Sequence, residues 1–382
     1  GHVMNAAGLH DRTIDLATGR ELLSFGYNSK DQLTTITDRF GNETTIQWSS
    51  GVPTSITSPD NIVTSLLVEH GNLKRVTYPD GSIYAMTYTS DGLMTFETDP
   101  VGSTFEHHYD VTGRVTDILD PEGGHWTFDR TVLEDGTALT SIQSAEGDLT
   151  TYEDLTGSDG EFTSDITGPD GSPSTYRLSP DGLTADKQTA CGMDLDFNYT
   201  LDVKYKYRTL KSSTTTMPSA LSVTTASSRA YSDINADDIP DLITDTVTVN
   251  GKVSTIENDL TTGIITGTTP AGRQMSSYYD TSTLLVSRTS TPGLYDTDFT
   301  YDSRGRPGTV TVGTRTTSFY YDGQGYLDYM TTPDGRTFDY TFDVMGRLTG
   351  EVRPDGGQVD YDYDNNGNMT VIVNPNNVAH GF

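Results

Sequence analysis

The stretch Arg336-Thr337-Phe338-Asp339-Tyr340-Thr341-Phe342-Asp343-Val344-Met345-Gly346-Arg347-Leu348 decides the fold. Its first half alternates, so a strand of period 2 puts Phe338, Tyr340 and Phe342 on one face and Thr337, Asp339 and Thr341 on the other. Its second half, Asp343 to Arg347, is a turn: aspartate caps through side-chain to backbone hydrogen bonds, and Gly346 accepts φ > 0. Just upstream, Pro333-Asp334-Gly335 supplies a second turn in which proline presets φ. This strand and its two bounding turns form the recognisable part of a unit.

The unit recurs. Tyr279-Asp280, Tyr301-Asp302, Tyr321-Asp322, Phe342-Asp343 and Tyr363-Asp364 are spaced by about 20 residues. Four of the five lead into a glycine turn in register, at Gly305, Gly325, Gly346 and Gly367; Asp280-Thr281-Ser282-Thr283 has lost it. The same phrase runs through the first part as Tyr27-Asn28, Tyr88 with Asp91-Gly92, and Tyr109-Asp110-Val111-Thr112-Gly113-Arg114. Pro-Asp-Gly turns recur at Pro79, Pro169, Pro180, Pro333 and Pro354. Each unit therefore has two turns and two strands. An isolated hairpin is marginal, so the units must stack edge to edge, with aromatic and β-branched cross-strand pairs stabilising each addition. The expected fold is all-β, a continuous antiparallel hairpin-repeat sheet that is curled or spiral-wound, because long sheets twist.

Composition agrees. Hydrophobic residues make up 33%, and Tyr (22) outnumbers Phe (12), so apolar surface comes in small amphipathic parcels that suit short strands. Fifty-four acidic against 24 basic residues give a net charge of -30, which opposes nucleic-acid phosphates and anionic lipid. No apolar run approaches membrane-spanning length. The single cysteine, Cys191, makes no internal disulfide. The opening Gly1-His2-Val3-Met4 reads as an expression remnant instead of a signal peptide.

The phrase Phe342-Asp343-Val344-Met345-Gly346-Arg347-Leu348 with its Pro-Asp-Gly companion resembles the YD (RHS) repeat. That family includes bacterial RHS proteins, the B and C components of insecticidal Tc toxins, and animal teneurins. The resemblance covers residues 21–130 and 265–382 closely and 131–264 loosely. It implies a sheet strip wound into a large hollow shell, whereas the periodicity shows only the sheet. It divides the chain into a lead-in (1–20), YD repeats (21–130), an irregular Thr/Ser-rich β insert with an acidic loop (131–264), and YD repeats breaking off within a unit (265–382). Longer strands in the same sheet are expected in the insert.

The most specific local signal lies in that insert. Asp233-Ile234-Asn235-Ala236-Asp237-Asp238-Ile239-Pro240-Asp241 places oxygen-bearing side chains at alternate positions. Calcium takes such hard oxygens, so Asp233, Asn235, Asp237 and Asp241, with the Ile239 carbonyl, form a candidate Ca²⁺ site. The loop is similar to calcium loops of FG-GAP and dockerin type but carries Asp238 where they have glycine. An acidic turn without metal is the plain alternative. Lys204-Tyr205-Lys206-Tyr207-Arg208 gathers basic charge, read as the polar face of one strand neutralising neighbouring acids.

Catalytic patterns are missing from the sequence. His107 and His108 are adjacent and point to opposite faces of a strand. Cys191 has no histidine near it in sequence, and no nucleophile elbow, P-loop or dinucleotide fingerprint occurs. The repeat aspartates are accounted for as turn caps. The expected function is therefore a non-catalytic wall of a secreted or cell-surface protein. Its partners would be adjoining shell domains or a linked C-terminal effector. Two alternatives stand beside it: a carbohydrate-binding surface protein, with Tyr320, Tyr329 and Tyr361 as sugar platforms, and a carboxylate-based hydrolase.

Overall fold

The computed structural model describes residues 1–233 and 239–382. Among them the chain is all-β, with thirty-five strands and no helix, and hence no helix long and apolar enough to cross a membrane. Strands pair antiparallel with their neighbours in sequence, hairpin after hairpin. Thr297–Tyr301 pairs with Pro307–Val312, which pairs with Arg315–Tyr321, which pairs with Leu327–Thr331. The alternation read from the sequence is visible in Thr337–Phe342, where Asp339 and Thr341 are exposed while Phe338, Tyr340 and Phe342 are half-buried.

The chain divides into two compact units. The first comprises Gly1–Thr104, Leu260–Ile264 and Met275–Phe382; the second comprises Phe105–Asp259 and Ile265–Gln274. The first is built from short strands such as Glu21–Tyr27, Ile83–Tyr88 and Gln358–Tyr363. The second holds longer ones, Arg208–Thr216 with 9 residues and Ser222–Ser232 with 11.

Each Asp-x-x-Gly turn is closed in the same way. Asp302 Oδ1 accepts the backbone N–H groups of Arg304 (2.9 Å) and Arg306 (3.0 Å). The Gly305 N–H donates to the Asp302 carbonyl, and Gly305 holds φ +79°. Asp322, Asp343 and Asp364 repeat these bonds. This is a type I turn followed by a left-handed residue, and such a loop leads into a bulge. The bulge is observed: Thr300 faces Thr309 while Tyr301 faces Pro307, and the same slip follows Tyr320, Thr341 and Asp362.

Few side chains are sealed from water. Among the described residues the buried hydrophobics are Ala138, Ala185, Ile243 and Val359. Stability therefore rests on cross-strand pairs and turn closure more than on a deep core.

Acid should expose this dependence. The Ser282 hydroxyl, followed by the Thr283 and Ser282 N–H groups, holds the Asp280 carboxyl down at about 2. The Asn368 side chain, with the Asn368 and Asn366 N–H groups, lowers Asp364. Burial works to raise Asp302, but the bonds from Arg306 and Arg304 outweigh it and the net direction is down. Carboxyls depressed in the folded state contribute stability above their unfolded value of 3.8 and lose it as pH falls through the folded one. The melting temperature should be level at neutral pH and fall steeply between 3.8 and about 2. Calorimetry showing no loss in that window would contradict the capping role.

Candidate functional site

Three side chains of the repeat connect one hairpin to the next. The first is the tyrosine, whose hydroxyl donates to a backbone carbonyl of the preceding hairpin. Tyr301 reaches Val286 O (2.8 Å), Tyr321 reaches Pro307 O (2.9 Å), and Tyr363 reaches Leu348 O (2.8 Å). In the first run Tyr27 and Tyr88 do the same to His10 and Leu73, and the Trp48 indole N–H takes the role toward Leu33 O at 2.7 Å. The other two are the aspartate and the arginine that follows glycine. Arg306 Nε bonds Asp302 Oδ2 at 2.8 Å, its guanidinium lies 4.2 Å from the centre of the next tyrosine ring, Tyr321, and Nη1 donates to Gly325 O in the next turn. Arg347 repeats all three contacts with Asp343, Tyr363 and Asp364 O. Successive aromatics Tyr301, Tyr321, Phe342 and Tyr363 thus do not stack on one another, as a direct ladder would require. Arg306 lies over Tyr321 and Arg347 over Tyr363, while at the intervening step Tyr326 takes the arginine's position and stacks on Phe342 at 5.4 Å. The arginines satisfy both ring faces and carboxylates in an acidic chain.

Within the first unit these turns meet a second row of turns. Phe40 packs against Gly305, so closely that an added Cβ would lie 2.6 Å from the ring. Arg304 donates to Asn42 Oδ1 and to Asp60 Oδ1 at 2.9 and 2.5 Å, and its carbonyl accepts Asn42 Nδ2. Arg347 Nη2 meets Asp80 Oδ2 at 3.3 Å, and Asn366 Nδ2 donates to Asp99 Oδ2 at 2.6 Å. Four turns after Asp302, Asp322, Asp343 and Asp364 therefore face turns after Asp38, Ser58, Tyr78 and Asp99 in register. Beside them lies a hollow of ≈ 350 Å³ lined by Ile56, Ile62, Tyr78, Pro79, Val344 and Met345, among others. The seam joins residues more than 240 positions apart by charge-assisted bonds and apolar turn tips.

The residues singled out in the sequence are placed as follows. Asp233 and Asp241 flank the link between Ser222–Ser232 and Leu242–Val249, and the Asp241 N–H donates to Ser232 O. Ile239 is exposed. Asn235 and Asp237 lie outside the described residues. No cluster of three histidine, cysteine or acidic side chains able to hold a metal occurs among the described residues. His107 and His108 face Ile118 and Asp117. His108 bonds Glu106, and His125, unremarked in the sequence, bonds Asp117 at 2.7 Å. Of the Lys204–Arg208 segment only Arg208 lies in a strand: residues 202–207 link Asp194–Leu201 to Arg208–Thr216. That link is held by Asp202, which accepts the Lys204 and Tyr205 N–H groups and the Tyr231 hydroxyl. Tyr320 and Tyr329 stack at 4.3 Å, and Tyr329 faces exposed Asp339. Tyr361 shares its strand face with buried Val359 and therefore lies on the opposite side of the sheet from that pair. Sequence reasoning missed the seam, because nothing local marks partners so far apart.

Hairpins tied by tyrosine hydroxyls and arginine, with no deep core, define a structural repeat wall. Comparison gives the family: residues 2–382 match the Teneurin YD-shell, and the chain belongs to it. It is similar to Teneurin-3 of Mus musculus, 29% identical over 169 residues, which is 42% of this chain and 6% of that protein. It is 32% identical to Teneurin-1 of Homo sapiens over 119 residues, 30% of this chain and 4% of that protein. The chain thus spans a small fraction of the relatives it matches. A solved structure, "Crystal Structure of TcdB2-TccC3-TEV", shares 12% identity over 94% of this chain and 24% of its own, with a TM-score of 0.43.

Two substitutions separate the bonds. Tyr321→Phe keeps the ring beneath Arg306 and removes only the bond to Pro307 O, and should cost about 1 kcal/mol. Arg347→Ala loses its own aspartate, the next tyrosine and Asp80 together, and should cost about 1–3 kcal/mol, less at high salt. Denaturant titration at two ionic strengths measures both; a loss in Arg347→Ala that does not shrink at high salt would refute the assigned roles.

Proposed function

We propose that this chain is a non-catalytic wall segment of a larger secreted or cell-surface protein, enclosing or presenting a linked effector or adhesive module. The observation that carries the reading is the facing of turns within the first unit. The side chains that define the repeat are used to tie hairpin to hairpin and run to run, which is the work of a container or scaffold. Family membership supports it. The test uses the full-length protein and an added protease. The linked module should resist digestion in the wild type and become accessible in Arg304→Ala/Arg347→Ala. Equal digestion rates would exclude enclosure.

One observation favours a second reading, carbohydrate binding. The Tyr320–Tyr329 pair stands on the polar face with Tyr320 44% exposed, and tyrosine rings beside a carboxylate suit sugar hydroxyls and CH faces. A glycan array on which Tyr320→Ala/Tyr329→Ala binds as well as the wild type would remove it.

The wall also carries the proposed calcium site of Asp233, Asn235, Asp237, Asp241 and the Ile239 carbonyl. What supports it is the alternation of oxygens, whose carboxylates repel one another unless a cation lies between them. Binding at 100 times the dissociation constant adds about 2.7 kcal/mol if the unfolded chain does not bind. The melting temperature should rise in calcium over chelator, and Asp233→Ala/Asp237→Ala should abolish the rise. An unchanged shift in that variant would reject the site.

A further inference from the structure

The chain contains two Asn-Gly pairs, Asn250-Gly251 and Asn366-Gly367. At such a pair the glycine nitrogen can attack the asparagine side-chain carbonyl, because glycine has no Cβ to obstruct the approach. The surroundings of the two asparagines differ. Asn250 Oδ1 accepts the Thr224 N–H at 2.8 Å, a bond that an aspartate would keep. Asn366 lies in the seam, where Nδ2 donates to Asp99 Oδ2 at 2.6 Å and Oδ1 accepts the Val101 N–H at 3.3 Å. In the same row Asp60 is met by a cation, Arg304, and Asp80 by another, Arg347. Asp99 is instead met by a neutral amide, which can change its own charge.

We propose that Asn366 is a self-modification site that turns this seam contact from attraction to repulsion. The Gly367 nitrogen bonds to Asn366 Cγ, the Cγ–Nδ2 bond breaks, and the nitrogen leaves as ammonia, carrying the proton given up by the Gly367 amide. Water then opens the five-membered imide to aspartate or isoaspartate. No oxidant or reductant is required. Asn366 is exposed, so water reaches it. In the closed turn the Gly367 N–H donates to Asp364 O at 3.0 Å, so attack proceeds from a transiently opened turn. The product places a carboxylate against Asp99 where a donor had been, and isoaspartate also lengthens the main chain within the turn. Like charges in hydrogen-bond contact oppose the seam.

The whole chain, incubated in mildly alkaline buffer and peptide-mapped by mass spectrometry, should convert Asn366 many-fold faster than Asn365 and Asn368, its neighbours in the turn. The encoded product, Asn366→Asp, should lower the melting temperature. Asp99→Asn added to it should restore most of the loss, and high salt should narrow the gap. Asn250→Asp should melt as the wild type. Conversion at Asn366 no faster than at Asn365 would overturn the modification. Failure of both Asp99→Asn and salt to recover Asn366→Asp would overturn the charge mechanism.

Discussion

The carboxylate that closes each Asp-x-x-Gly turn is the interaction on which the rest depends. One oxygen of Asp302 gathers two backbone N–H groups and shapes the tip, while the other holds Arg306. That arginine is thereby fixed over Tyr321, whose hydroxyl reaches back to Pro307 O. Turn, cation, ring and main chain form one connected set, so each hairpin is stabilised through the next. Charge-assisted and cooperative bonds of this kind replace the buried core that a two-layer fold would have.

The seam in the first unit extends the same chemistry across long sequence distances. In a chain of net charge -30, apposed turns rich in aspartate would repel. Arg347 answers Asp343 on its own row and Asp80 on the opposite one, and Arg304 reaches across to Asp60 and Asn42. Glycine at 305 lets Phe40 approach as closely as it does, and at 325 an added Cβ would lie 2.7 Å from Asp60. The glycines of the turn thus serve both backbone conformation and the approach of the facing row.

Much of this was legible in the sequence, for physical reasons. Period-2 alternation in Thr337–Phe342 and the Asp-Gly spacing are local, and local geometry follows from local sequence. The YD phrase identified the family because it recurs in register. Pairings between residues far apart in sequence were not legible. A row of aromatics suggests the repeat tyrosines touching one another, whereas Arg306 lies over Tyr321, Arg347 over Tyr363 and Tyr326 against Phe342. Lys204 to Arg208 reads as a strand by its alternation, but Asp202 accepts two N–H groups and makes a turn there. Tyr361 looks equivalent to Tyr320, yet Tyr320 directly precedes the repeat tyrosine and Tyr361 stands two before it; the bulge at each turn lies at the same place in both, so alternation sends the two to opposite faces. The alternating oxygens from Asp233 to Asp241 were legible as a pattern, but two of the five proposed ligands fall outside the described residues.

That bulge has an evolutionary consequence. A plain two-residue alternation would be inverted by any insertion of odd length, turning greasy side chains outward along every later strand. Here the turn and its slip re-establish the phase once per unit, so duplication or loss of a whole unit leaves downstream strands facing as before. Unequal recombination can therefore lengthen or shorten such a wall without redesigning it, and its size becomes a freely heritable trait.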